Sequence, residues 1–209
     1  MEVYTSTKPT VSCHILTFIF TTILLSISYH APPVSAASTK YPPLATYENF
    51  IKNSCSTTSY PQLCFQTLSR HAYAIKTNPQ RLSIDAITIS IKSARAASVT
   101  VSNLLKRGHL ADRDAAAIVD CIGNIRGSIE LLMQCRAGLR TFDESEDKFF
   151  AMSSIKTWAS AAITDESTCT DEFSGGKVSE GVKREVRATI LPFVQLTINA
   201  LCLINDLPV

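Results

Sequence analysis

Four stretches of the sequence repeat apolar residues at alternating spacings of three and four positions, the period of an α-helix with one buried side. They run, in chain order, over Ile84–Leu105, Ala111–Leu132, Ala151–Ala162 and Val182–Leu203. The two-residue alternation of a half-buried β-strand does not compete with this pattern. The periodicity therefore predicts an all-α protein with four long helices.

The links between the stretches are short and contain residues that end or begin helices. Gly108, Gly138 and the pair Gly175-Gly176 are predicted to end the first three helices. The spacing of Asp143 and Glu146 suits a capping box and predicts the start of the third helix. Because short links place consecutive helices antiparallel, we expect an up-down-up-down four-helix bundle over residues 79–207.

A smaller helical unit precedes the bundle, over residues 47–78. Cys55 and Cys64 lie nine positions apart on either side of a predicted turn from Ser56 to Pro61. A helical hairpin this short buries little apolar surface, so a local bridge there would stabilise it. We expect a short N-terminal helical hairpin that ends at Asn78-Pro79.

The N-terminal residues have the pattern of a secretory signal peptide. An apolar run of about 13 residues, Ile15–Ile27, is short of the ~20 that a membrane span requires. The small residues Val34-Ser35-Ala36 follow it and suit a signal peptidase. We predict a signal peptide over residues 1–36 and a leader over residues 37–46, with an uncleaved anchor helix as the alternative that the length disfavours. The protein is expected to be secreted, with one domain in a mature chain of about 172 residues.

The formal net charge is +2, and removing Glu2 and Lys8 with the signal leaves it unchanged. A balance so near zero provides no electrostatic footprint for nucleic acid, and no basic run suggests a lipid surface. We therefore expect neither a nucleic-acid partner nor a membrane partner after the signal is removed.

Cysteine is the most informative residue type here. Six of the seven cysteines lie outside the predicted signal, and an even number in an exported chain indicates a disulfide framework. Six cysteines allow 15 complete pairings, among which spacing alone does not choose. A zinc site is not expected, because no cysteine pair has the required two-residue spacing and only His71 and His109 remain after processing.

Residues for catalysis are not apparent in the sequence. His71 and His109 are predicted to be solvated loop histidines, and Asp112 and Asp114 to lie in the first turn of a helix, favoured by its dipole. No metal-ligand motif or cofactor-binding loop is present. These observations favour a binding protein with no cofactor over an enzyme.

Several motifs resemble the plant invertase and pectin methylesterase inhibitor family. They occur in the family's order over essentially the whole mature chain, at Tyr47–Ile51 with Cys55, Tyr60–Cys64, Ala115–Cys121, Met152–Cys169 and Asn199–Leu201. The resemblance implies a hairpin followed by a four-helix bundle. It also implies the bridges Cys55–Cys64 and Cys121–Cys169, leaving Cys135 and Cys202 over. A buried free thiol is the favoured interpretation for Cys202, and a third bridge is the alternative.

The resemblance favours the pectin methylesterase branch of the family. Thr157-Trp158 and Thr164-Asp165 are similar to that branch. Invertase inhibitors resemble one another in a Pro-Lys-Phe tripeptide, and the nearest string here is a displaced Asp147-Lys148-Phe149. The expected function is inhibition of pectin methylesterase in the apoplast and cell wall, through a one-to-one complex that blocks the substrate cleft. Acid invertase is the alternative target, and a secreted signalling or structural bundle without an enzyme target is the further alternative.

The resemblance also implies partner-binding residues on the second and third bundle helices. Glu130 and Asp171 match acidic positions that face the esterase in the family, and Thr157 lies near the same surface; ordinary solvated helix surface is the alternative for each. The chain departs from the family pattern at Gly123, Ile125 and Gly127. We expect these departures to shift or weaken the contacts on this face, and glycine within a helix costs up to ~1 kcal/mol relative to alanine.

Overall fold

The computed structural model describes residues 42–107, 110–174 and 178–208, all of it helices and their connections. Two short helices, α1 (Leu44–Cys55) and α2 (Pro61–Leu68), lead into a 3₁₀ turn (Ser69–His71) and the single-turn helix α3 (Ala72–Ile75). The long helices are α4 (Pro79–Lys106), α5 (Asp112–Thr141), α6 (Lys148–Glu172) and α7 (Glu180–Asn205), with a 3₁₀ turn (Phe142–Glu144) after α5. The predicted all-α class, a four-helix bundle after a short hairpin, is confirmed.

Some predictions concern residues outside the described ranges. These are the signal peptide at residues 1–36, most of the leader, the helix-ending roles of Gly108 and Gly175-Gly176, and the solvated loop position of His109. Helix α1 begins at Leu44, inside the segment predicted as leader, and the buried ring of Tyr47 anchors its first turn. The division into leader, hairpin and bundle remains a prediction.

Each long helix packs against two others, so that α4 and α6 each contact both α5 and α7. Residues later in α4 contact residues earlier in α5. The side chain of Gln80 donates to the Leu139 carbonyl, whereas Arg95, further along α4, reaches Met133, earlier in α5. The adjacent helices are therefore antiparallel, as short connections require.

The bundle core consists of two apolar clusters, one near the hairpin and one near the opposite end. The hairpin cluster includes Ile87, Leu132 and Phe193, and the distal cluster includes Ile118 and Ile190. Burial follows the predicted stripes with shifts of one position in each long helix, as in α4, where Ala97 is buried and Ser98 is half-buried. The helical period thus places the core correctly to within one position.

The predicted capping box at Asp143 and Glu146 is wrong. Asp143 lies in the 3₁₀ turn, and α6 begins four residues later with Asp147 as its N-cap. The Asp147 carboxylate accepts a hydrogen bond from the Phe150 amide at 2.8 Å, which satisfies one of the free N–H groups of the first turn. Two aspartates four residues apart both suit a cap, and the chain uses the second.

The prediction that Gly138 ends the second bundle helix is also wrong, because α5 continues to Thr141. A Cβ atom at Gly138 would stand 2.8 Å from Ile155 Cγ1 and 3.1 Å from Trp158 Cζ3. Glycine is required there because α6 approaches α5 closely at this point. The same residue type that signals a helix end in sequence here permits helix–helix contact.

The hairpin is closed by a disulfide and joined to the bundle by one asparagine. Cys55 and Cys64 are bridged, connecting α1 to α2. The buried side chain of Asn199 in α7 accepts from the Tyr60 amide and donates to the Tyr60 carbonyl, both at 2.9 Å. This paired contact satisfies the backbone at the turn between α1 and α2, and so fixes the hairpin against α7.

Candidate interaction face of helices α5 and α6

Helices α5 and α6 are tied at two levels along their length. Cys121 and Cys169 form a disulfide with 4.4 Å between their Cα atoms. One step toward the hairpin, the buried Ser128 hydroxyl donates to the Ala162 carbonyl at 3.0 Å. These ties fix the register of the two helices, so their outer surfaces form one continuous face, called here the α5–α6 face.

A glycine brings the two helices close between those ties. A Cβ at Gly127 would lie 2.7 Å from Asp165 Oδ2. Gly127 stands where the family pattern places an interface acid, and the structure fills the space beside it with an acid from α6 instead. Burial raises the pKa of the Asp165 carboxyl. A carboxylate is therefore present near this level of the face, although it comes from the other helix.

The three predicted partner-binding residues are exposed, Glu130 on α5 and Thr157 and Asp171 on α6. The Thr157 hydroxyl donates to the Ser153 carbonyl of its own helix. In the antiparallel register, Asp171 lies near the level of Asp120 and Thr157 near that of Gln134. At 1.5 Å per residue the three side chains are spread over about 20 Å along the helices. They do not form a cluster, but they do outline a face long enough for an extended contact.

The predicted departures from the family pattern occupy different environments. Gly123 is exposed and Gly127 half-buried, whereas Ile125 is fully buried in the distal cluster. Ile125 follows Cys121 by four residues, so it shares the inward side of α5 with the disulfide. The expectation that Ile125 alters the recognising face is therefore wrong, and the change on that face is confined to the glycines.

The connection between α5 and α6 displays two aromatic rings. Phe149 and Phe150 are 79% and 69% exposed at the start of α6. The neighbouring Lys148 is half-buried, its ammonium donating to the Phe142 carbonyl and lying 4.9 Å from the Phe142 ring centroid. The lysine of the displaced Asp147-Lys148-Phe149 string is therefore engaged within the chain and does not project from it.

The two described cysteines outside the disulfides, and His71, contact neighbouring residues of the same chain. Cys135 is buried and Cys202 half-buried, and neither is bridged. Burial raises the pKa of the Cys135 thiol to about 12, so it is not a nucleophile near neutral pH. Cys202 is more accessible than the predicted buried thiol, because it lies at the hairpin boundary, where its Sγ is 3.8 Å from the Ser59 hydroxyl. His71 lies in the 3₁₀ turn, 3.9 Å from an Asp85 carboxylate oxygen.

Sequence reasoning missed the structural roles of two acids. Asp114 is buried at the start of α5 and accepts from the Ser179 amide at 2.9 Å, which ties α5 to the beginning of α7. Glu166 on α6 is completely buried, with no hydrogen-bond donor at either carboxylate oxygen. Asp114 has no sequence signal for burial. Glu166 has one, because it follows Ala159 and Ala162 at core spacing and so lies on the stripe.

Within the described ranges, no group of three His, Cys, Asp or Glu side chains is placed to hold a metal ion.

Helix α7 is long and apolar enough to cross a membrane by length and composition alone. In the bundle, its residues Val186, Ile190 and Phe193 are fully buried against the other helices. Core packing therefore accounts for its apolar character.

Comparison with known proteins agrees with this architecture. Residues 49–203 match the family model described as plant invertase/pectin methylesterase inhibitor. The chain is 39% identical over 195 residues to pectinesterase inhibitor 9 of Arabidopsis thaliana, covering 90% of this chain and 92% of the relative. It is 36% identical over 164 residues to a 21 kDa protein of Daucus carota, covering 78% and 85%. The crystal structure of a mutant pectin methylesterase inhibitor from Arabidopsis shares the fold, with a TM-score of 0.60 at 19% identity over 76% of this chain and 97% of that one.

Proposed function

The chain belongs to the plant invertase/pectin methylesterase inhibitor family, and we propose that it is a secreted inhibitor of pectin methylesterase. Three relatives that are named pectinesterase inhibitors share 35–39% identity with it over 77–90% of its length. The family role is inhibition by a protein surface, not catalysis. The buried thiol of Cys135 and the engaged His71 are consistent with that role.

The observation that carries the proposal is the construction of the α5–α6 face. Its two helices are covalently bridged at Cys121–Cys169 and joined again by Ser128, so the face needs little reorganisation on binding. A preorganised surface loses less conformational entropy in a complex than a mobile one. We propose that this face lies across the substrate cleft of the esterase in a one-to-one complex and excludes the pectin chain.

The connection before α6 favours the esterase over the alternative target, acid invertase. An invertase contact through Asp147-Lys148-Phe149 would require Lys148 to leave the Phe142 carbonyl and ring. Such a rearrangement adds a free-energy penalty to binding. Phe149 of that string is 79% exposed and is presented to a partner without rearrangement.

The proposal is tested with the oxidised mature chain, residues 37–209, against a plant pectin methylesterase on methyl-esterified pectin and, separately, against an acid invertase. We expect stoichiometric loss of esterase activity and undiminished invertase activity. Loss of invertase activity alone would transfer the function to the alternative target. An effect on neither enzyme, from a folded sample, would favour the signalling or structural hypothesis.

The face itself is tested by neutralising its exposed acids. We expect Glu130→Gln and Asp171→Asn each to weaken inhibition several-fold, and to slow association more than they speed dissociation, because rim charges act mainly on the encounter rate. Glu48→Gln on α1 removes the same charge away from the face and should leave inhibition unchanged. Equal inhibition by all three variants would remove the α5–α6 face from the proposal.

A further inference from the structure

The outer side of α5 carries a groove beside Gly123. Its volume is about 550 Å³, and the apolar part of its wall comes from Val119, Ile122 and the bare backbone of Gly123, while Glu172 of α6 closes one side. The groove lies at the level of Asp171, within the α5–α6 face. Val119 is 54% exposed and so contributes accessible apolar surface to the wall of the groove.

Packing inside the chain does not require a glycine at position 123. A Cβ added there would meet no atom within 4 Å, in contrast to Gly127 and Gly138, whose added Cβ atoms would clash. Glycine in a helix interior costs up to ~1 kcal/mol relative to alanine. The visible consequence of Gly123 is the open groove on the surface of α5.

Two carboxylates border this groove, Asp120 from α5 and Glu172 from α6. The Asn124 amide donates to Glu172 Oε1 at 3.3 Å, whereas Glu172 Oε2 is shielded from solvent and has no hydrogen-bond partner. Burial and the negative charge of Asp120 together raise the pKa of the Glu172 carboxyl. Arg126 also lines the groove, but no cation among the described residues lies within 4.0 Å of either carboxylate.

A groove with an apolar wall and two unpaired carboxylates fits an amphipathic cation. The aliphatic stem of a lysine or arginine packs on apolar surface while its charged head remains at a polar end. An arginine fork donates to two acceptors at once, which suits a groove lined by the carboxylates of Asp120 and Glu172. An apolar side chain would fill the groove but leave the charges of both carboxylates without a partner.

We propose that the groove beside Gly123 receives a lysine or arginine side chain of the pectin methylesterase, with Val119 and Ile122 contacting its stem and Asp120 and Glu172 accepting from its head. This inference rests on the proposed function and specifies the partner chemistry at one point of the α5–α6 face. The site is a specificity determinant, because an esterase with no basic side chain at that point gains nothing from the groove and leaves its carboxylates unpaired.

The direct test fills the groove and compares the result with the same change elsewhere. Gly123→Leu places a side chain in the groove, and Gly181→Leu makes the identical change at an exposed glycine of α7 whose added Cβ also meets nothing within 4 Å. Both variants should unfold at a slightly higher temperature than wild type. We expect Gly123→Leu to weaken inhibition of the esterase at least tenfold, and Gly181→Leu to change it by less than twofold.

A second pair of variants tests the charge of the expected occupant. Asp120→Asn and Glu172→Gln keep the shape of the groove and remove its carboxylates. Each should weaken inhibition several-fold, and each should make the inhibition constant less sensitive to added salt, because one attractive charge pair is gone.

The outcomes separate this inference from the proposed function. If wild type inhibits the esterase and Gly123→Leu inhibits equally well, the groove is not occupied and the inference fails alone. If the two carboxylate variants inhibit as strongly as wild type while Gly123→Leu does not, the occupant is apolar and the basic side chain is wrong. If wild type itself does not inhibit the esterase, the proposed function fails first.

Discussion

The two halves of the bundle are held together in different ways. Helix α4 buries 12 of its 28 residues, whereas α6 buries only 6 of its 25, so α6 relies much less on an apolar stripe. The α4–α7 pair is closed by apolar packing and by one exposed ion pair, Arg107 with Glu185 at 2.7 Å. The α5–α6 pair has instead a disulfide, a buried hydroxyl bond and two close glycine contacts.

This difference suits the proposed interaction face. A helix that binds a partner must leave polar and charged side chains outside, and so it has less apolar surface with which to hold its neighbour. Covalent and short-range polar ties compensate without occupying the outer face. If this interpretation is correct, damage to the α5–α6 ties should affect inhibition as well as stability, while damage elsewhere should affect stability alone.

The largest effect is expected from removing the distal disulfide. Replacing Cys121 and Cys169 by alanine opens a bridge that spans 48 positions, which is worth about 4 kcal/mol on the chain-entropy model. Urea unfolding measures that loss. The matched pair is Cys55→Ala with Cys64→Ala, whose nine-position bridge is worth about 2.6 kcal/mol on the same model. Only the first pair should also weaken inhibition of the esterase at concentrations where both proteins remain folded. Equal effects on inhibition would contradict the comparison.

The second-largest effect is expected from replacing Glu166, which lies on α6 between the two apolar clusters. Ser128 of α5 and Thr197 of α7 are also fully buried polar residues. The Thr197 hydroxyl donates to the Phe193 carbonyl, and the Glu166 carboxyl has no donor. Burial, which outweighs the neighbouring Thr197 hydroxyl, raises the pKa of Glu166 to about 8, and the charge of Asp165 adds to the increase.

The raised pKa of Glu166 predicts a contribution to stability that is present in acid and is lost as the pH rises toward 8. Between the ordinary value of 4.5 and about 8 the folded chain binds more protons than the unfolded chain, so the free energy of unfolding falls as the pH rises. We expect Glu166→Gln to remove most of this slope. Between pH 4.5 and pH 8 the stability of wild type relative to Glu166→Gln should fall by about 4 kcal/mol. Urea unfolding at several pH values measures the slope, and the exposed Glu130→Gln serves as the control. Parallel slopes for wild type and Glu166→Gln would contradict this assignment.

The sequence predicts those parts of the fold that depend on periodicity, and the structure shows why it fails elsewhere. The four stripes specify which side of each helix is buried, because burial and helical period are linked directly. Glu166 was not predicted to be buried, since Thr-Asp-Glu-Ser has the composition of an exposed turn of helix. The groove depends on the register of α6 beside α5, which brings Glu172 to the level of Asp120. No local pattern contains that register, and the disulfide that fixes it was implied only by the family resemblance.

The smallest effect, and the sharpest probe of the close approach, comes from replacing the α5 glycines by alanine one at a time. All three variants gain up to ~1 kcal/mol of helix propensity, so differences among them report the contact with α6. Gly123→Ala meets nothing and should be the most stable. At Gly127 the obstacle is the end of the Asp165 side chain, which rotates away, so the net change in stability should be near zero.

At Gly138 the obstacles are Ile155 Cγ1 and the Trp158 ring, which are packed in place, and overpacking of this kind costs about 1–3 kcal/mol. We therefore expect Gly138→Ala to be less stable than wild type by about 1 kcal/mol, measured as a shift of the urea midpoint at constant slope. The order Gly123, Gly127, Gly138 is the test, because helix propensity alone predicts three equal gains.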